Sequence, residues 1–120
     1  MAEFKIFRKM TGKLSWLANS THPGLSYTAL AMSKKYNFAQ IKDLRDISRV
    51  MNKAKERPSK IIFSKIAPKD KLMVVGIGDA SFKSDDKAIG GVLLFLFNEE
   101  MTRAAPIYWK SKTIARVCYS

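Results

Sequence analysis

One acidic residue in this sequence stands where a metal-dependent enzyme could use it. Asp79 follows the apolar run 72–78, which is rich in valine and isoleucine. A strand holds a carboxylate at its end in a fixed place, and such carboxylates can bind divalent cations. Aspartate also caps turns where strands end, so the position alone leaves both a metal ligand and a turn residue open.

The composition excludes several other kinds of site. The chain contains one histidine, His22, and one cysteine, Cys118. A single cysteine cannot form an internal disulfide, and the two residues together cannot build a zinc site from several cysteines or histidines. Asp85 and Asp86 lie side by side in the polar segment 84–87, a pattern typical of a solvated turn.

The charge favours a polyanionic partner. The 120 residues include 22 Lys and Arg against 10 Asp and Glu, and residues 1–70 alone contain 15 basic and 5 acidic side chains. Such a surplus favours nucleic acid or an acidic membrane surface. The longest apolar run, 88–97, is too short for a membrane helix of about 20 residues, and charges interrupt the N-terminal segment. We therefore expect an intracellular protein without a membrane partner.

Periodicity predicts an α+β fold with basic helices first and an antiparallel meander after them. The first half indicates a short helix from Leu14, a helix over 25–36 and a clearer helix over 40–57, which Pro58 ends. The second half indicates strands over 60–66, 72–78 and 88–97, and a last strand over either 107–110 or 107–114. We expect a helical segment over 1–58 and a strand-rich segment over 59–120.

The third helix separates apolar from basic residues. Ile41, Leu44, Ile47, Met51 and Ala54 share one face, and the opposite face contains Lys42, Arg45, Arg49, Lys53 and Arg57. The basic face is either a solvated surface or a row of phosphate contacts, which need no base recognition. A second candidate for backbone contact is formed by Lys110, Ser111 and Lys112, beside a Trp109 that more often packs in a core.

Several short motifs occur in an order that resembles a known family. They are Gly12-Lys13-Leu14-Ser15-Trp16-Leu17-Ala18, Thr21-His22-Pro23-Gly24-Leu25-Ser26-Tyr27, Asp79-Ala80-Ser81-Phe82, Gly90-Gly91, Ile107-Tyr108-Trp109-Lys110-Ser111-Lys112 and Val117-Cys118-Tyr119-Ser120. Together they resemble the end of reverse transcriptase and the start of the ribonuclease H domain in copia-type retrotransposon Pol polyproteins. His22 and Gly24 depart from the family pattern, which usually has arginine and aspartate there.

The resemblance implies a function and a site. The parent polyprotein would copy RNA into DNA and cleave the RNA of an RNA–DNA hybrid with Mg²⁺, and Asp79 would be one metal-binding carboxylate. The family's next carboxylate would follow Ser120, so we expect this chain alone to be inactive. The implied partners are the hybrid or another nucleic acid and the rest of the Pol polyprotein.

Two further expectations concern assembly. In the family fold, the strand with Asp79 has a neighbour on each side, and one of these would follow Ser120. We therefore expect an unpaired edge on the run 72–78, an uncovered apolar face and self-association through that edge. The alternative function is a small basic structural or interaction protein that assembles into a larger complex.

Overall fold

The computed structural model describes residues 2–67, 71–83 and 86–114, and for residues 82, 83, 86 and 87 the backbone alone. It has an α+β fold of N-terminal helices followed by a three-stranded antiparallel sheet, which confirms the predicted fold class. The chain divides into two compact units, Met1–Lys60 and Ile61–Ser120. This division lies close to the boundary that the sequence predicts at 58/59.

The first unit contains three α-helices and one 3₁₀ turn. The helices are α1, Ala2–Ser20; α2, Ser26–Ser33; and α3, Ile41–Glu56, and the 3₁₀ turn Pro23–Leu25 precedes α2. The prediction for the first helix was too short, because the buried face of α1 already begins at Phe7 and continues through Thr11 to Leu14. Pro23 stands in the first turn of the 3₁₀ segment, where its missing N–H has no helical partner to lose.

A small core holds the three helices together. Phe7, Leu14, Ala18, Ala29 and Ile47 are buried, and Met10, Met32, Tyr36, Leu44 and Met51 are among the side chains that pack against them. Thr11 lies at the same buried face of α1, where its hydroxyl donates to the carbonyl oxygen of Phe7 at 2.8 Å. This hydrogen bond satisfies a polar group that would otherwise be costly to bury.

An ion pair fixes the start of α3. Asp43 is 3% exposed, and one of its carboxylate oxygens accepts from the Nζ of Lys35 at 2.5 Å. The other oxygen accepts from the backbone N–H of Gln40 at 2.8 Å, which caps the helix. The Lys35 ammonium, together with the Gln40 N–H, holds the pKa of Asp43 below its ordinary value. Asp43 therefore ties the segment after α2 to the first turn of α3.

The described part of the second unit is a meander of three strands in the order β1-β2-β3. They are β1, Leu72–Lys83; β2, Asp86–Asn98; and β3, Ala104–Thr113. The register pairs Ile77 with Leu93 in β2, and Leu93 pairs in turn with Trp109 in β3. In β3, Ile107 is an extra residue at an irregularity between the pairs Leu94–Tyr108 and Phe95–Pro106.

Three expectations about the strands were wrong. Residues 60–66 form no strand, and Ile62 and Phe63 are exposed, because the run has no partner strand within the described part of the chain. Asp79 does not end β1, which continues to Lys83 since its residues remain paired with β2. Asp86, which we expected in a turn over 84–87, belongs to β2 because its backbone pairs with Lys83; Ser84 and Asp85 lie outside the described residues.

The turn between β2 and β3 is held by one side chain. Asn98 is buried, and its Oδ1 accepts from the backbone N–H groups of Thr102 at 3.0 Å and Arg103 at 2.9 Å. Met101 in the same turn has a positive φ of 54°, which a non-glycine residue seldom adopts. Asn98 thus fixes the turn that sets the pairing of β2 with β3.

The unpaired edges of the sheet differ in character. Within the described part of the chain, β1 pairs only with β2 and β3 pairs only with β2. Pro106, Lys110 and Lys112 interrupt β3 with a missing donor and two charges, which discourage pairing with another strand. Residues 72–78 of β1 contain no charge and no proline. Within the described sheet, this run has one paired neighbour, β2.

The Asp43 ion pair predicts a pH-dependent stability of the helical unit. Because the folded-state pKa of Asp43 lies below its unfolded value of about 3.9, its stabilisation is complete above that value and is lost as the pH falls through the folded pKa. We expect Asp43→Ala to lower the free energy of unfolding by about 1–3 kcal/mol at neutral pH. Urea unfolding followed by circular dichroism of the helices measures this change.

Asp46→Ala is the matched control on the same helix. Asp46 lies 3.7 Å from Arg49 in a solvent-exposed pair, which contributes about 0–1 kcal/mol.

The pH dependence is tested with Asp43→Asn, which removes the charge. We expect the difference in the free energy of unfolding between this variant and the unsubstituted protein to shrink below about pH 4. An unchanged difference down to the acid transition would show that the charge of Asp43 does not stabilise the fold.

Candidate nucleic-acid interface and carboxylate site

The predicted basic face of α3 is exposed. Lys42, Arg45, Arg49 and Lys53 all lie on the side of the helix away from the buried Ile47. They cover eleven helical steps, or about 16 Å along the axis. The face is not purely basic, because Glu56 shares it and Asp46 pairs with Arg49 at its margin. Ile41, which we expected on the apolar face, is 64% exposed because it stands at the first turn, beyond the core.

A second basic row, which the sequence analysis missed, lies on α1. Lys5, Lys9 and Lys13 are exposed and follow one another at four-residue steps, so they line one side of the helix. Trp16 is 70% exposed on the same side. Glu3, the single acidic residue of α1, stands outside this row. We call these four residues the α1 row: Lys5, Lys9, Lys13 and Trp16.

The exposure of Trp16 is unexpected for its residue type. Tryptophan is usually highly buried, and an exposed indole commonly marks an interaction surface. On α1, the buried positions are Phe7, Thr11, Leu14 and Ala18, which leaves Trp16 on the opposite side. The four-residue spacing of the lysines is visible in the sequence, but it has meaning only once the helix is known to begin at Ala2.

A concavity of about 330 Å³ adjoins the α1 row. It is lined by Phe4, Lys5, Arg8, Tyr36 and Asn37, and we call it the Arg8 pocket. Arg8 donates from Nη2 to the Oδ1 of Asn37 at 3.0 Å, and its Cζ lies 5.9 Å from the centre of the Tyr36 ring. Lys5 belongs both to this pocket and to the α1 row, so the two surfaces are continuous.

Asp79 lies within β1 and faces the solvent. Its Oδ1 accepts from the backbone N–H of the next residue, Ala80, at 2.8 Å. Asp79 pairs with Gly91 in β2, which pairs with Ser111 in β3. Residues directly opposite one another in a sheet share a face, so Asp79 and Ser111 lie on the same side with a glycine between them.

The three candidate residues of β3, Lys110, Ser111 and Lys112, do not lie on one face of the sheet. Lys110 and Lys112 are exposed on one face of the sheet, opposite Val92 and Gly90. Ser111 projects to the other face, with Asp79, because successive side chains of a strand alternate. A nucleic-acid backbone on one side of the sheet could therefore contact the two lysines or Ser111, but not all three.

The described residues do not fit a Mg²⁺ site by themselves. Among them, no group of three His, Cys, Asp or Glu side chains is placed to hold a metal ion. Asp79 offers one carboxylate, whereas a two-metal centre requires several ligands around each ion. Asp85 lies outside the described residues, and the side chain of Asp86 is not described.

Neither the membrane criterion nor comparison with known proteins assigns the chain to a family. A search of the described helices finds none that is both long and apolar enough to span a membrane. The motif Val117-Cys118-Tyr119-Ser120, which contributes to the resemblance, lies outside the described residues. No protein-family model matches the chain, and no match was found among the curated proteins or the solved structures.

Proposed function

We propose that the helical unit binds the sugar–phosphate backbone of nucleic acid without sequence preference. The observation that carries this proposal is the pair of exposed basic surfaces on α1 and α3. Residues 1–60 contain 13 Lys and Arg against four Asp and Glu. Each cation that neutralises a phosphate releases condensed counterions, which drives binding regardless of base sequence.

The α1 row is the stronger of the two surfaces. Its lysines have no acidic neighbour in the row, and Trp16 adds an exposed aromatic ring. The basic face of α3 includes Glu56 and the Asp46–Arg49 pair, which reduce its positive potential. Both surfaces face away from the same core, on different helices. Separate substitutions can therefore measure the contribution of each.

We further propose that the chain is a segment of a copia-type Pol polyprotein that acts inside the cell on an RNA–DNA hybrid. Three features support this origin. Basic helices precede an antiparallel meander; Asp79 lies in β1; and Gly90-Gly91 and Trp109 lie in β2 and β3. In such a polyprotein, Asp79 would contribute one Mg²⁺ ligand and other parts of the protein would contribute the rest.

Charge reversal tests the binding surfaces. We expect two triple variants to weaken binding to any duplex. The α3 variant combines Arg45→Glu, Arg49→Glu and Lys53→Glu. The α1 variant combines Lys5→Glu, Lys9→Glu and Lys13→Glu. Each cation that contacts a phosphate should contribute about one unit to the slope of log K against log salt between about 50 and 200 mM. Fluorescence anisotropy with duplexes of unrelated sequence measures both quantities, and the α1 variant should lose more.

The control changes the same net charge elsewhere. Lys55, Lys60 and Lys65 are exposed and lie outside both surfaces, so their replacement by glutamate tests for a general charge effect. We expect this variant to retain most of the affinity. Equal losses in all three variants, or affinity independent of salt in the unsubstituted protein, would contradict binding through the two surfaces.

A second test concerns catalysis by the chain alone. Because the described residues supply one carboxylate at Asp79, we expect no cleavage of an RNA–DNA hybrid above background with Mg²⁺ or Mn²⁺. The measurement is gel analysis of labelled hybrid, with Asp79→Asn as the matched control. Cleavage that Asp79→Asn abolishes would show that this chain completes the site from residues of its own or of a second copy.

The alternative function, assembly into a larger complex, is favoured by the edge of β1. Val74 is 63% exposed and Ile77 is 56% exposed, on opposite faces of this strand. An uncharged strand edge with apolar side chains pairs readily with another strand. We therefore propose self-association of the chain through β1 as the interaction that such a role would use.

Sedimentation velocity tests this assembly. We expect the unsubstituted chain to form concentration-dependent oligomers and Val74→Lys to shift it towards monomer, because a charge on an edge strand opposes pairing. Ile107→Lys, at a residue of β3 that is 48% exposed, is the control and should leave the oligomers unchanged. A monomer at every concentration of the unsubstituted chain would rule out assembly through this edge.

A further inference from the structure

The Arg8 pocket has the composition of a site for an anion joined to a flat ring. Its lining contains two cations, Lys5 and Arg8, the amide of Asn37 and the rings of Phe4 and Tyr36, and it includes no carboxylate. Its volume of about 330 Å³ falls within the range of about 300–1,000 Å³ that is usual for small-ligand sites. The pocket is therefore large enough for one nucleotide unit.

Arg8 is held in place before any ligand binds. One of its N–H groups donates to Asn37, and the guanidinium lies near the Tyr36 ring. A guanidinium has five N–H donors, so most of them remain for a ligand. An arginine that is already oriented loses less conformational entropy on binding. Its forked N–H donors can bind two oxygens of one phosphate.

We propose that the Arg8 pocket binds an unpaired nucleotide, with its phosphate at Lys5 and Arg8 and its base against Phe4. This inference rests on the proposed binding of nucleic acid and adds a preference for single-stranded ends to it. Bases within a duplex are stacked on one another, so only an unpaired nucleotide can offer its ring to an aromatic side chain. Phe4 is 38% exposed and lines the pocket.

Continuity with the α1 row favours nucleic acid over an acidic peptide as the occupant. Lys5 lines the pocket and begins the row, and Lys9 follows one helical turn later. A polyphosphate backbone that runs along the row would thus reach the pocket without a gap in positive charge. A nucleic-acid backbone carries one negative charge at every nucleotide whatever its sequence, whereas a peptide would need acidic residues at matching steps. An acidic peptide is therefore the competing outcome of the test.

The test compares a blunt duplex with the same duplex carrying a short single-stranded overhang. We expect the full chain to bind the overhang duplex at least about fivefold more tightly, since stacking of one base on an aromatic side chain adds this much or more. Arg8→Gln and Phe4→Leu should bring this ratio close to one. Lys9→Gln, on the same helix but outside the pocket, should weaken binding to both duplexes equally and preserve the ratio.

Arg8→Gln and Phe4→Leu change the pocket at two separate side chains, so a folding defect in one variant does not decide the test. Circular dichroism measures the helix content of each variant. A ratio near one in the unsubstituted chain, with duplex binding intact, overturns the pocket proposal alone. Absence of binding to either duplex overturns the proposed function beneath it. A Glu- and Leu-containing peptide that binds in an Arg8-dependent manner, together with a ratio near one, would assign the pocket to an acidic peptide and overturn the nucleotide proposal.

Discussion

The helical unit depends on burying one narrow apolar stripe from each of its two long helices. Phe7 and Leu14 of α1 meet Ile47 of α3 in a core that contains few fully buried side chains. Because the burial of each such side chain contributes about 1.5–3 kcal/mol, these few contacts decide how each helix is rotated. The rotation in turn directs the lysines of α1 and the basic residues of α3 towards solvent. The positive surfaces are thus a consequence of the core.

Asp43 adds orientation to this packing. Its carboxylate joins Lys35, which follows α2, to the first turn of α3, and it is almost fully buried. A buried carboxylate without partners would be strongly destabilising, so this ion pair allows little freedom in the connection between the two helices. The same connection contributes Tyr36 and Asn37 to the Arg8 pocket. The Arg8 pocket therefore depends on the Asp43–Lys35 ion pair, which fixes the connection between α2 and α3.

The sheet differs from the helical unit, because in its described part the middle strand pairs on both sides and each outer strand pairs on one side. β2 pairs on both sides, while β1 has one described neighbour and exposes apolar side chains on both faces. Asp79 lies on this incompletely paired strand beside Gly91, which leaves open space around the carboxylate. Whatever pairs with β1 would also change the surroundings of Asp79, so the assembly proposed for this strand would bear on that carboxylate.

Local patterns in the sequence determined much of the secondary structure and of the charge distribution. The helical period of α3, the apolar run of β2 and the basic side opposite Ile47 could be predicted, because burial imposes its period on neighbouring residues. Only the tertiary structure decided that Trp16 is exposed, that residues 60–66 remain unpaired and that Ser111 lies on the face of Asp79. These outcomes depend on which distant residues supply a partner: a second strand, a facing helix or an opposite position in the sheet. No local pattern contains that information.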